Sequence, residues 1–427
     1  MRTVMNYGKT GLPIDLPDAW DITVFRKKPM PVLDNPTEAV RLALTKPVGS
    51  KALTEEARGC RNVCILICDI TRPVPNSLLL PIIIRELMDS GIESKNITVL
   101  VATGLHRPNE GDELRELVGD DWVLDTVNVV NHFARRDEDH VHLGETRRGV
   151  PVKLDRRFVE ADLRIVTGLV EPHFMAGYSG GRKLITPGIA HQETIGTFHS
   201  AAFLEDPRAA NCVLDGNPLH EEQLEIVDMV GGALAVNVVL DDERRLSFVN
   251  FGDIVESHLA SISYLKEYAE IPVERQFNTV ITSAAGYPLD KTYYQTVKGM
   301  VGAMDLLKPG GNMFIVSECS EGMGSPEFVE SQKRLVVLGT EKFLAEILSK
   351  RCAAIDEWET EMQLRPMRIG RIHLYSDGLS ESEAALTGVN TVKSLEEAIL
   401  QSVEESGDTD VAVIPEGPYV IPVLAKQ

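Results

Sequence analysis

Short apolar runs alternate with helical segments along roughly the first three hundred residues, and this alternation constrains the fold more than any other feature. Runs such as 62–68 and 97–102 are rich in β-branched residues and too short for a helix. Strands separated by helices at this spacing pair in parallel, because a parallel neighbour is reached only through a crossover connection. The predicted strands are Asn62–Cys68, Ile97–Ala102, Val127–Asn131, Leu163–Thr167 and Leu234–Val239, and the predicted helices include Thr37–Thr45, Pro81–Ser90, Leu219–Val230 and Val255–Ala269.

A second α/β pattern begins near Thr279 and continues through the strands MFIVSE and RIHLYS. Its predicted helices are Tyr294–Leu307, Pro326–Leu338, Glu341–Ser349 and Ser394–Glu404. We therefore predict two α/β domains with largely parallel sheets, residues 1–272 and 273–410, with the active site in the cleft between them. A terminal strand in 411–427 can complete either sheet, including by a return to the N-terminal domain.

The charge balance excludes some partners. Acidic residues outnumber basic ones 64 to 43, which gives a net charge of −21. A nucleic-acid partner is not expected, because its phosphates would be repelled. The longest apolar run, 78–84, contains Pro81 and is too short to span a bilayer, and residues 1–10 lack the apolar region of a signal peptide. A soluble cytoplasmic enzyme without a membrane partner is expected.

The chain has six cysteines, too few for a secreted disulfide scaffold. Cys64 and Cys68 invite a metal interpretation because of their spacing. Four residues along a strand separate two side chains by about 13 Å, so these two cannot share one ion. We predict that both belong to the core.

Polar residues follow three predicted strands directly. Asp69 and Arg72 follow the first, His106 follows the second, and Glu171 and His173 follow a later one. In open α/β sheets, ligands bind beyond the carboxyl ends of the strands. A single polar residue at a strand end is more often a turn cap, but three strand ends with such residues together favour a functional site.

A glycine-rich stretch comes next, with Gly180, Gly181, Arg182 and Lys183 at its centre. Paired glycines let a backbone approach an anion closely, and a basic pair can neutralise it. The spacing is not that of a P-loop. The lysine could instead be a covalent anchor, since a lysine amine with a depressed pKa is a good nucleophile. The alternative is a solvated turn.

His199 follows a short helical stretch, 191–198, and is a possible metal ligand, although a lone histidine is not a metal motif. In the second domain Tyr294, Gln295 and Lys298 would share one helix face, which suits a small carboxylate. The alternative is a solvated helix face. We predict surface or capping roles for the remaining histidines, which are His132, His140, His142, His191, His220, His258 and His373.

Four stretches together resemble the nickel-pincer nucleotide-dependent lactate racemase family of 2-hydroxy acid racemases and epimerases. They are DITRPVP, VATGLHRP, EPHFMAGYSGGRKLITPGIA with His199 following, and YPLDKTYYQTVKGM. The likeness runs from about Gly49 to the C-terminus and includes the late strand VAVIPEG.

The resemblance implies a cofactor and a set of site residues. The cofactor would be nickel held by pyridinium-3,5-dithiocarboxylic acid mononucleotide, tethered to Lys183 and supplied by cofactor-biosynthesis proteins of the host. His199 would be the protein ligand to nickel, and His106 and His173 the acid/base pair. The other implied contacts are Arg72, Gln295, Lys298 and Tyr294 for the substrate, and Asp69, Gly180, Gly181 and Arg182 for the cofactor.

The implied reaction inverts C2 of a 2-hydroxy carboxylate. The Cα–H bond is a poor acid beside a carboxylate, so hydride leaves to the cofactor while a histidine takes the hydroxyl proton. A fixed carboxylate clamp holds the keto acid while it rotates. Glu171-Pro172 before His173 departs from the serine of the family's lactate racemases, and the segment Ser317–Glu330 is a further contributor to substrate choice. Lactate, longer or dicarboxylic hydroxy acids and aldonates all stay open as substrates.

Three other functions were weighed. A non-catalytic binding or storage protein for the nucleotide would keep Lys183 and His199 without needing His106 or His173. A pyridoxal-phosphate racemase would need a phosphate cup and a partner for the pyridine nitrogen, and neither is placed by the sequence. A methyltransferase is suggested by LKPGG, but TVITSAAGYP offers one glycine where a glycine-rich loop is expected.

Overall fold

The computed structural model describes residues 1–424 and divides into two compact units. The N-unit consists of residues 29–198 and 213–267. The C-unit consists of residues 1–28 and 199–212 and of the chain from Tyr268 onward. Each unit contains a six-stranded sheet.

The strands are β1 (Arg2–Met5), β2 (Leu12–Asp15), β3 (Asp21–Val24), β4 (Val63–Cys68), β5 (Ile97–Ala102), β6 (Asn128–Asn131), β7 (His140–Glu145), β8 (Pro151–Asp155), β9 (Leu163–Leu169), β10 (Pro172–His173), β11 (Gly177–Tyr178), β12 (Leu234–Leu240), β13 (Leu246–Asp253), β14 (Glu270–Val273), β15 (Phe277–Ser283), β16 (Leu307–Val316), β17 (Arg371–Tyr375), β18 (Asn390–Thr391), β19 (Asp410–Ile414) and β20 (Ile421–Leu424).

The α-helices are α1 (Pro36–Thr45), α2 (Leu53–Glu56), α3 (Asn76–Asp89), α4 (Asp112–Val118), α5 (Asp121–Thr126), α6 (Arg156–Val159), α7 (Gln192–Phe198), α8 (Ala201–Leu204), α9 (Pro218–Met229), α10 (Glu256–Ala269), α11 (Tyr293–Ala303), α12 (Pro326–Leu338), α13 (Thr340–Leu348), α14 (Glu357–Ile369), α15 (Glu381–Leu386) and α16 (Leu395–Ser406). Short 3₁₀ helices cover Ser94–Asn96, Asp137–Asp139, Gly181–Leu184, Leu289–Lys291, Met304–Leu306 and Gly417–Tyr419.

The sheet of the N-unit has the strand order β13-β12-β9-β4-β5-β6, and only β13 runs antiparallel to its neighbour. Strand β4 is central and nearly all buried, which fits its run of β-branched and aliphatic residues. Cys64 and Cys68 lie on this strand as free thiols beside the apolar core, and burial raises the pKa of Cys68 to about 12. The core prediction for these two cysteines is confirmed.

The sheet of the C-unit has the order β18-β17-β16-β15-β19-β3, and all its neighbours are parallel. Together the two sheets confirm the predicted α/β class. Strand β19 lies between β15 and β3, so the terminal strand joins this sheet and does not return to the N-terminal domain. Residues 1–28 also belong to the C-unit, because β3 pairs with β19. The predicted assignment of residues 1–272 to one domain differs from the structure in these N-terminal residues and in 199–212.

The predicted helices of the N-unit occur with shifted ends. Helix α3 begins five residues before the predicted Pro81, at Asn76, and contains that proline. Three helices of the C-unit, α8, α14 and α15, were not predicted. Within residues 1–424, none of the helices combines the length and the apolar character needed to cross a membrane.

Candidate active site

The carboxyl ends of three neighbouring strands carry the polar residues singled out in the sequence. Strand β4 lies between β9 and β5 and pairs in parallel with both. Residues that follow these three strands therefore start from the same edge of the sheet. Asp69 follows β4, His106 lies four residues after β5, and His173 lies four residues after β9. The prediction that these strand ends form one site is supported by the strand order.

Asp69 and His106 form a hydrogen-bonded pair. Asp69 Oδ2 lies 2.5 Å from His106 Nδ1, and Oδ1 accepts hydrogen bonds from the backbone N–H and the hydroxyl of Thr71. Burial works to raise the pKa of Asp69, but the hydrogen bonds from His106 and Thr71 and the charge of Arg72 outweigh it, so the pKa lies below its usual value. An ionised carboxylate can only accept, so neutral His106 carries its proton on Nδ1 and has a lone pair on Nε2.

The sequence assigned Asp69 a role at the cofactor, and that role stays a prediction. Its observed partner is His106, which makes Asp69 an orienting group for an acid/base residue. The imidazole of His106 is 60% exposed, so Nε2 is accessible to a substrate.

His173 lies in a small hairpin in which β10 pairs with β11. Its Nδ1 accepts hydrogen bonds from the backbone N–H groups of Met175 and Ala176, at 3.3 and 3.2 Å. Since Nδ1 accepts, neutral His173 carries its proton on Nε2. The two predicted acid/base histidines are thus held by different kinds of partner.

The glycine pair 180–181 lets its loop pack closely on the end of β9. Both glycines have positive φ angles, 80° and 47°. A Cβ on Gly180 would lie 2.9 Å from Val170 Cγ2 and 3.1 Å from Leu169 O, and one on Gly181 would lie 3.1 Å from the ring of His258. The glycines therefore serve close packing. Their predicted contact with the cofactor stays a prediction.

Lys183 lies in the 3₁₀ helix Gly181–Leu184, which this packing places beyond the end of β9. It is the one partly exposed residue of the stretch 179–186. A lysine that stays partly exposed on a buried loop is suited to carry a bound group.

Arg182 does not fit the predicted role of neutralising an anion on the surface. It is 1% exposed and points into the N-unit. Its Nη2 donates to Ala176 O and Tyr178 O, and its Nη1 lies 3.2 Å from the ring nitrogens of His258. Burial lowers the pKa of the guanidinium to about 9. The prediction failed because the sequence does not show which way each of two adjacent basic side chains points.

Several histidines predicted to lie at the surface are buried. His132, His140 and His191 form a chain of ring contacts with centroids 5.1 and 5.0 Å apart. The ring of His132 is hydrogen-bonded through Nδ1 to Asp155 and through Nε2 to the carbonyl oxygen of Ala190. Ala190 follows the lysine loop in the chain. His220 and His258 are buried beside Arg182, and burial followed by the charge of Arg182 lowers the pKa of His220 to about 3. The surface prediction for these five was wrong, because an isolated histidine carries no periodic burial signal, whereas the capping role is confirmed for His191, whose Nδ1 accepts from the backbone N–H of Glu193 at the start of α7.

In the C-unit, helix α11 carries the predicted substrate-binding residues Tyr294, Gln295 and Lys298. Lys298 Nζ donates to Gln295 Oε1 at 2.5 Å, so the two side chains share one face of the helix as predicted. Tyr294 Oη accepts a hydrogen bond from Trp358 Nε1 at 3.3 Å. The group offers a cation, an amide and a phenol together.

His199 belongs to the C-unit and is 6% exposed. Its ring lies 5.0 Å from the ring of Trp358, which connects it to Tyr294 through the hydrogen bond above. Trp358 lies on α14, a helix that was not predicted, so the sequence analysis missed it. An aromatic residue within the acidic stretch DEWETE is the signal that could have drawn attention to it.

Glu359, next to Trp358, was also missed. It is 1% exposed, and burial raises its pKa to about 8, against the opposing charge of Lys298. A buried acid near the cation of a carboxylate site affects how strongly that cation attracts an anion. Its position is set by α14, which packs against α11.

The residues fit a metal whose other ligands come from a bound group. Within residues 1–424, no group of three or more His, Cys, Asp and Glu side chains is arranged to hold a metal ion. His199, a buried imidazole of the C-unit, can donate a ring nitrogen to a metal, and Lys183, which is partly exposed, can carry a tethered group. Arg72 is half-buried, and its Nη1 donates to Thr71.

Two family models match the chain. The model of the lactate racemase N-terminal domain matches residues 7–211, and that of the lactate racemase C-terminal domain matches residues 273–422. These two ranges contain the residues predicted for the site and also helix α14 with Trp358 and Glu359. His220 and His258 lie between the two ranges.

Similar proteins agree with the family models. The chain is 33% identical over 421 residues to a lactate racemase of Thermoanaerobacterium thermosaccharolyticum, with 97% of each chain covered. It is 33% identical over 387 residues to a lactate racemase of Lactiplantibacillus plantarum, with 90% of each covered. The structure of the lactate racemase apoprotein from T. thermosaccharolyticum superposes with a TM-score of 0.92 at 31% identity, covering 99% of this chain and 100% of that one. A Thermotoga maritima protein at 17% identity shares the fold, with a TM-score of 0.69 and coverage of 91% and 98%.

Proposed function

Because this chain belongs to the lactate racemase family, we propose that it is a racemase that inverts C2 of lactate or of a closely related 2-hydroxy carboxylate. The observation that carries the proposal is the pair of histidines that follow the two strands on either side of β4, one held by a carboxylate and the other by backbone N–H groups. A racemase must remove a proton from one enantiomer and supply one to the other, so two separate imidazoles are what the reaction requires.

His106 is the base for one enantiomer. Asp69 fixes its proton on Nδ1, which leaves the lone pair on the exposed Nε2 for the substrate hydroxyl. Once His106 has taken that proton, the negative charge of Asp69 stabilises the imidazolium. Thr71 orients the carboxylate from the other side, so the whole pair is held before substrate binds.

His173 serves the hydroxyl of the other enantiomer. Its hairpin places the ring after β9, the strand on the opposite side of β4 from β5. As the keto acid turns about its fixed carboxylate, its oxygen leaves one histidine and reaches the other. His173, which has to carry a second proton at this stage, then donates the proton that completes the inverted product, and the proton taken by His106 leaves to solvent.

Lys298 and Gln295 of helix α11 would hold the carboxylate of the substrate, and a further contact from Arg72 stays a prediction. The 2.5 Å bond from Lys298 Nζ to Gln295 Oε1 orients both side chains. A charge-assisted contact to a carboxylate is about twice as strong as a neutral hydrogen bond. Holding the carboxylate restricts the intermediate to rotation and keeps it from leaving.

Lys183 and His199 would hold the cofactor, a nickel-bearing nucleotide tethered to the lysine. When bound, a pyridinium group with nickel supplies a hydride acceptor. Lys183 would anchor the group from its closely packed loop, and His199 would donate a ring nitrogen to the metal, with Trp358 packed against the imidazole. Proteins of the host that make and load this nucleotide are the partners this assignment requires.

Two variants test the cofactor assignment. Peptide mass mapping of the loaded protein should show an adduct on Lys183 that is lost in Lys183→Ala and kept in Lys153→Ala, a lysine paired with Glu193 instead. Metal analysis should show nickel in wild type and in His142→Ala, which changes an exposed histidine, but not in His199→Ala. An adduct on another lysine, or full nickel content in His199→Ala, would contradict the assignment.

A chiral assay tests the activity itself. The loaded protein is incubated with each pure enantiomer of lactate, 2-hydroxybutyrate, glycerate, malate and gluconate, and the products are separated on a chiral column. We expect inversion of at least one of them, loss of it in His106→Ala, and normal rates in His142→Ala. A protein that binds the nucleotide but inverts none would be the storage protein that the sequence left open.

A further inference from the structure

Buried side chains bind three carbonyl groups of the hairpin that carries His173. Asn217 Nδ2 donates to Met175 O at 2.9 Å, and Arg182 Nη2 donates to Ala176 O at 3.0 Å. His258 Nε2 donates to Ser179 O at 2.7 Å. Asn217, Arg182 and His258 are each 1% exposed or less. We call these three residues the hairpin clamp.

The same two turn residues hold His173 from their other side. The N–H groups of Met175 and Ala176 donate to His173 Nδ1, while their carbonyls accept from Asn217 and Arg182. The direction in which these N–H groups point is thus fixed by the buried donors behind them. Two donors aimed at Nδ1 favour the tautomer with the proton on Nε2.

The hydrogen bonds within the clamp fix one tautomer of His258. A carbonyl can only accept, so His258 carries its proton on Nε2 and uses Nδ1 to accept from Arg182. Burial, followed by the charge of Arg182, holds the pKa of His258 well below its usual value, so this imidazole is neutral. Gly181 leaves room for it, because a Cβ there would lie 3.1 Å from the ring.

Burying a guanidinium on carbonyl and imidazole partners is costly. A buried charge is strongly destabilising unless its hydrogen bonds are satisfied, and Arg182 Nε has no partner among the described residues. An aliphatic side chain could fill the same space at less cost. The need to hold the hairpin in one conformation would explain why a buried arginine is used here despite its cost in stability.

We propose that the hairpin clamp holds His173 in the Nε2–H tautomer, so that the two histidines of the racemase rest in unequal states. This inference rests on the proposed function. His106 presents a lone pair to the substrate and is ready to act as a base, whereas His173 presents an N–H group. His173 can take a hydroxyl proton on Nε2 only after its own proton has moved to Nδ1, and that breaks both bonds from the turn.

The two half-reactions should therefore differ in rate. Two hydrogen bonds of ordinary strength amount to roughly a factor of thirty in the tautomer equilibrium. The enantiomer served by His106 should give keto acid roughly thirtyfold faster in a single turnover than the enantiomer served by His173. Steady-state kinetics cannot show this, because a racemisation has an equilibrium constant of unity and kcat/KM is then equal in both directions.

The tautomer can be measured without cofactor. Two-bond ¹H–¹⁵N correlation spectra of the apoprotein labelled with ¹⁵N-histidine distinguish the Nε2–H from the Nδ1–H tautomer, and His173→Gln assigns the signal. We expect Nε2–H for His173 and Nδ1–H for His106 in wild type. Nδ1–H for His173 in wild type would overturn the proposal whatever the variants do.

The clamp is tested with Arg182→Lys and with His258→Gln as a second variant. Arg164→Lys is a matched control, since Arg164 also donates to two backbone carbonyls of the N-unit, Phe158 O and Val159 O. In either clamp variant we expect a mixture of His173 tautomers, and a ratio of the two half-reaction rates that falls several-fold toward one. Arg164→Lys should match wild type in both measurements.

The proposal fails if the clamp variants that fold show the spectrum and rate ratio of Arg164→Lys. A wild-type protein that inverts no 2-hydroxy acid would instead refute the proposed function. The apoprotein spectra would still decide whether the clamp sets the tautomer of His173.

Discussion

At the scale of single residues, the site depends on which nitrogen of each imidazole carries the proton. Asp69 is buried, yet its pKa lies below the usual value because His106 and Thr71 both donate to it. The carboxylate therefore stays ionised at neutral pH and accepts the Nδ1 proton of His106. His173 has backbone donors in place of a carboxylate, so its neutral form has the opposite arrangement.

Asp69→Asn tests this arrangement with little change in shape. Thr71 donates to Oδ1 through both its N–H and its hydroxyl, so the amide oxygen should stay there and the amide NH₂ should face His106. That would force His106 to accept at Nδ1 and place its proton on Nε2. Loss of a general base typically costs 10²–10⁴-fold, and we expect a fall in kcat of that size.

The control for this variant is Asp162→Asn, which changes an aspartate paired with Arg61 at the surface. It should leave kcat unchanged. Nickel content and the Lys183 adduct should be normal in both variants. Near-normal turnover by Asp69→Asn would show that the carboxylate does not set the tautomer. Loss of the cofactor in this variant would favour the cofactor role predicted from the sequence.

At the scale of elements, the lysine loop depends on how closely it packs against β9. Gly180 and Gly232 have the same φ of +80°, but a Cβ on Gly180 would lie 2.9 Å from Val170, whereas one on Gly232 has nothing within 4 Å. Both Gly→Ala changes place alanine at a positive φ, at a cost of about 1–3 kcal/mol.

We expect Gly180→Ala to lose about 1–3 kcal/mol more in free energy of unfolding than Gly232→Ala, because of the added overpacking. Gly180→Ala should also reduce the fraction of protein with the adduct on Lys183, since the loop has to move. Urea denaturation and intact mass measure the two effects. Equal behaviour of the two variants would mean that the loop is not held against β9 by close packing.

Elements with a strong periodic or β-branched pattern could be predicted from the sequence. Strands β4 and β5 occur within one residue of their predicted ends, because aliphatic runs of this length must be buried on both faces of a sheet. Because these strands could be predicted, the polar residues at the three strand ends could be identified as well. The direction of Arg182 and the burial of His258 could not be predicted, since each depends on contacts between residues far apart in the chain.

Helix α14 shows why one buried element was missed. Its sequence, EWETEMQLRPMRI, looks solvated, yet its first eight residues are buried. Glu357 is compensated by Arg334 and Lys350, and burial raises the pKa of Glu361 to about 9. A carboxylic acid that keeps its proton loses less on burial than an ionised one, but its charge state is not visible in the sequence.

At the scale of the whole molecule, buried titratable groups predict how stability varies with pH. Burial lowers the pKa of His140, His191, His220 and His258. The unfolded chain binds protons at these sites below about pH 6.5 and the folded protein does not, so stability falls as pH drops below that value. Burial raises the pKa of Glu359 and Glu361 to about 8 and about 9, so stability also falls as pH rises above about 4.5 toward those values.

The sum of these opposite slopes predicts a maximum of thermal stability near pH 6–7, measured as Tm across the pH range. Glu361→Gln should remove the Glu361 slope, which amounts to roughly 1–3 kcal/mol between pH 7 and 9, and leave the pH dependence below about pH 4.5 unchanged. Glu160→Gln, at an exposed glutamate paired with Arg156, is the control. An alkaline slope that is the same in Glu361→Gln and wild type would show that Glu361 is ionised in the folded protein.

The most direct test of the central claim, racemisation by two histidines, is a single-turnover measurement of keto acid formation by His106→Ala and His173→Ala. Each loaded variant is mixed with each pure enantiomer of the substrate that the chiral assay identifies. The account predicts that neither variant racemises, and that each still oxidises one enantiomer, a different one in each case, because the remaining histidine serves as its base. If both variants oxidise the same enantiomer, or if either retains near-normal racemisation, the two-histidine mechanism is wrong.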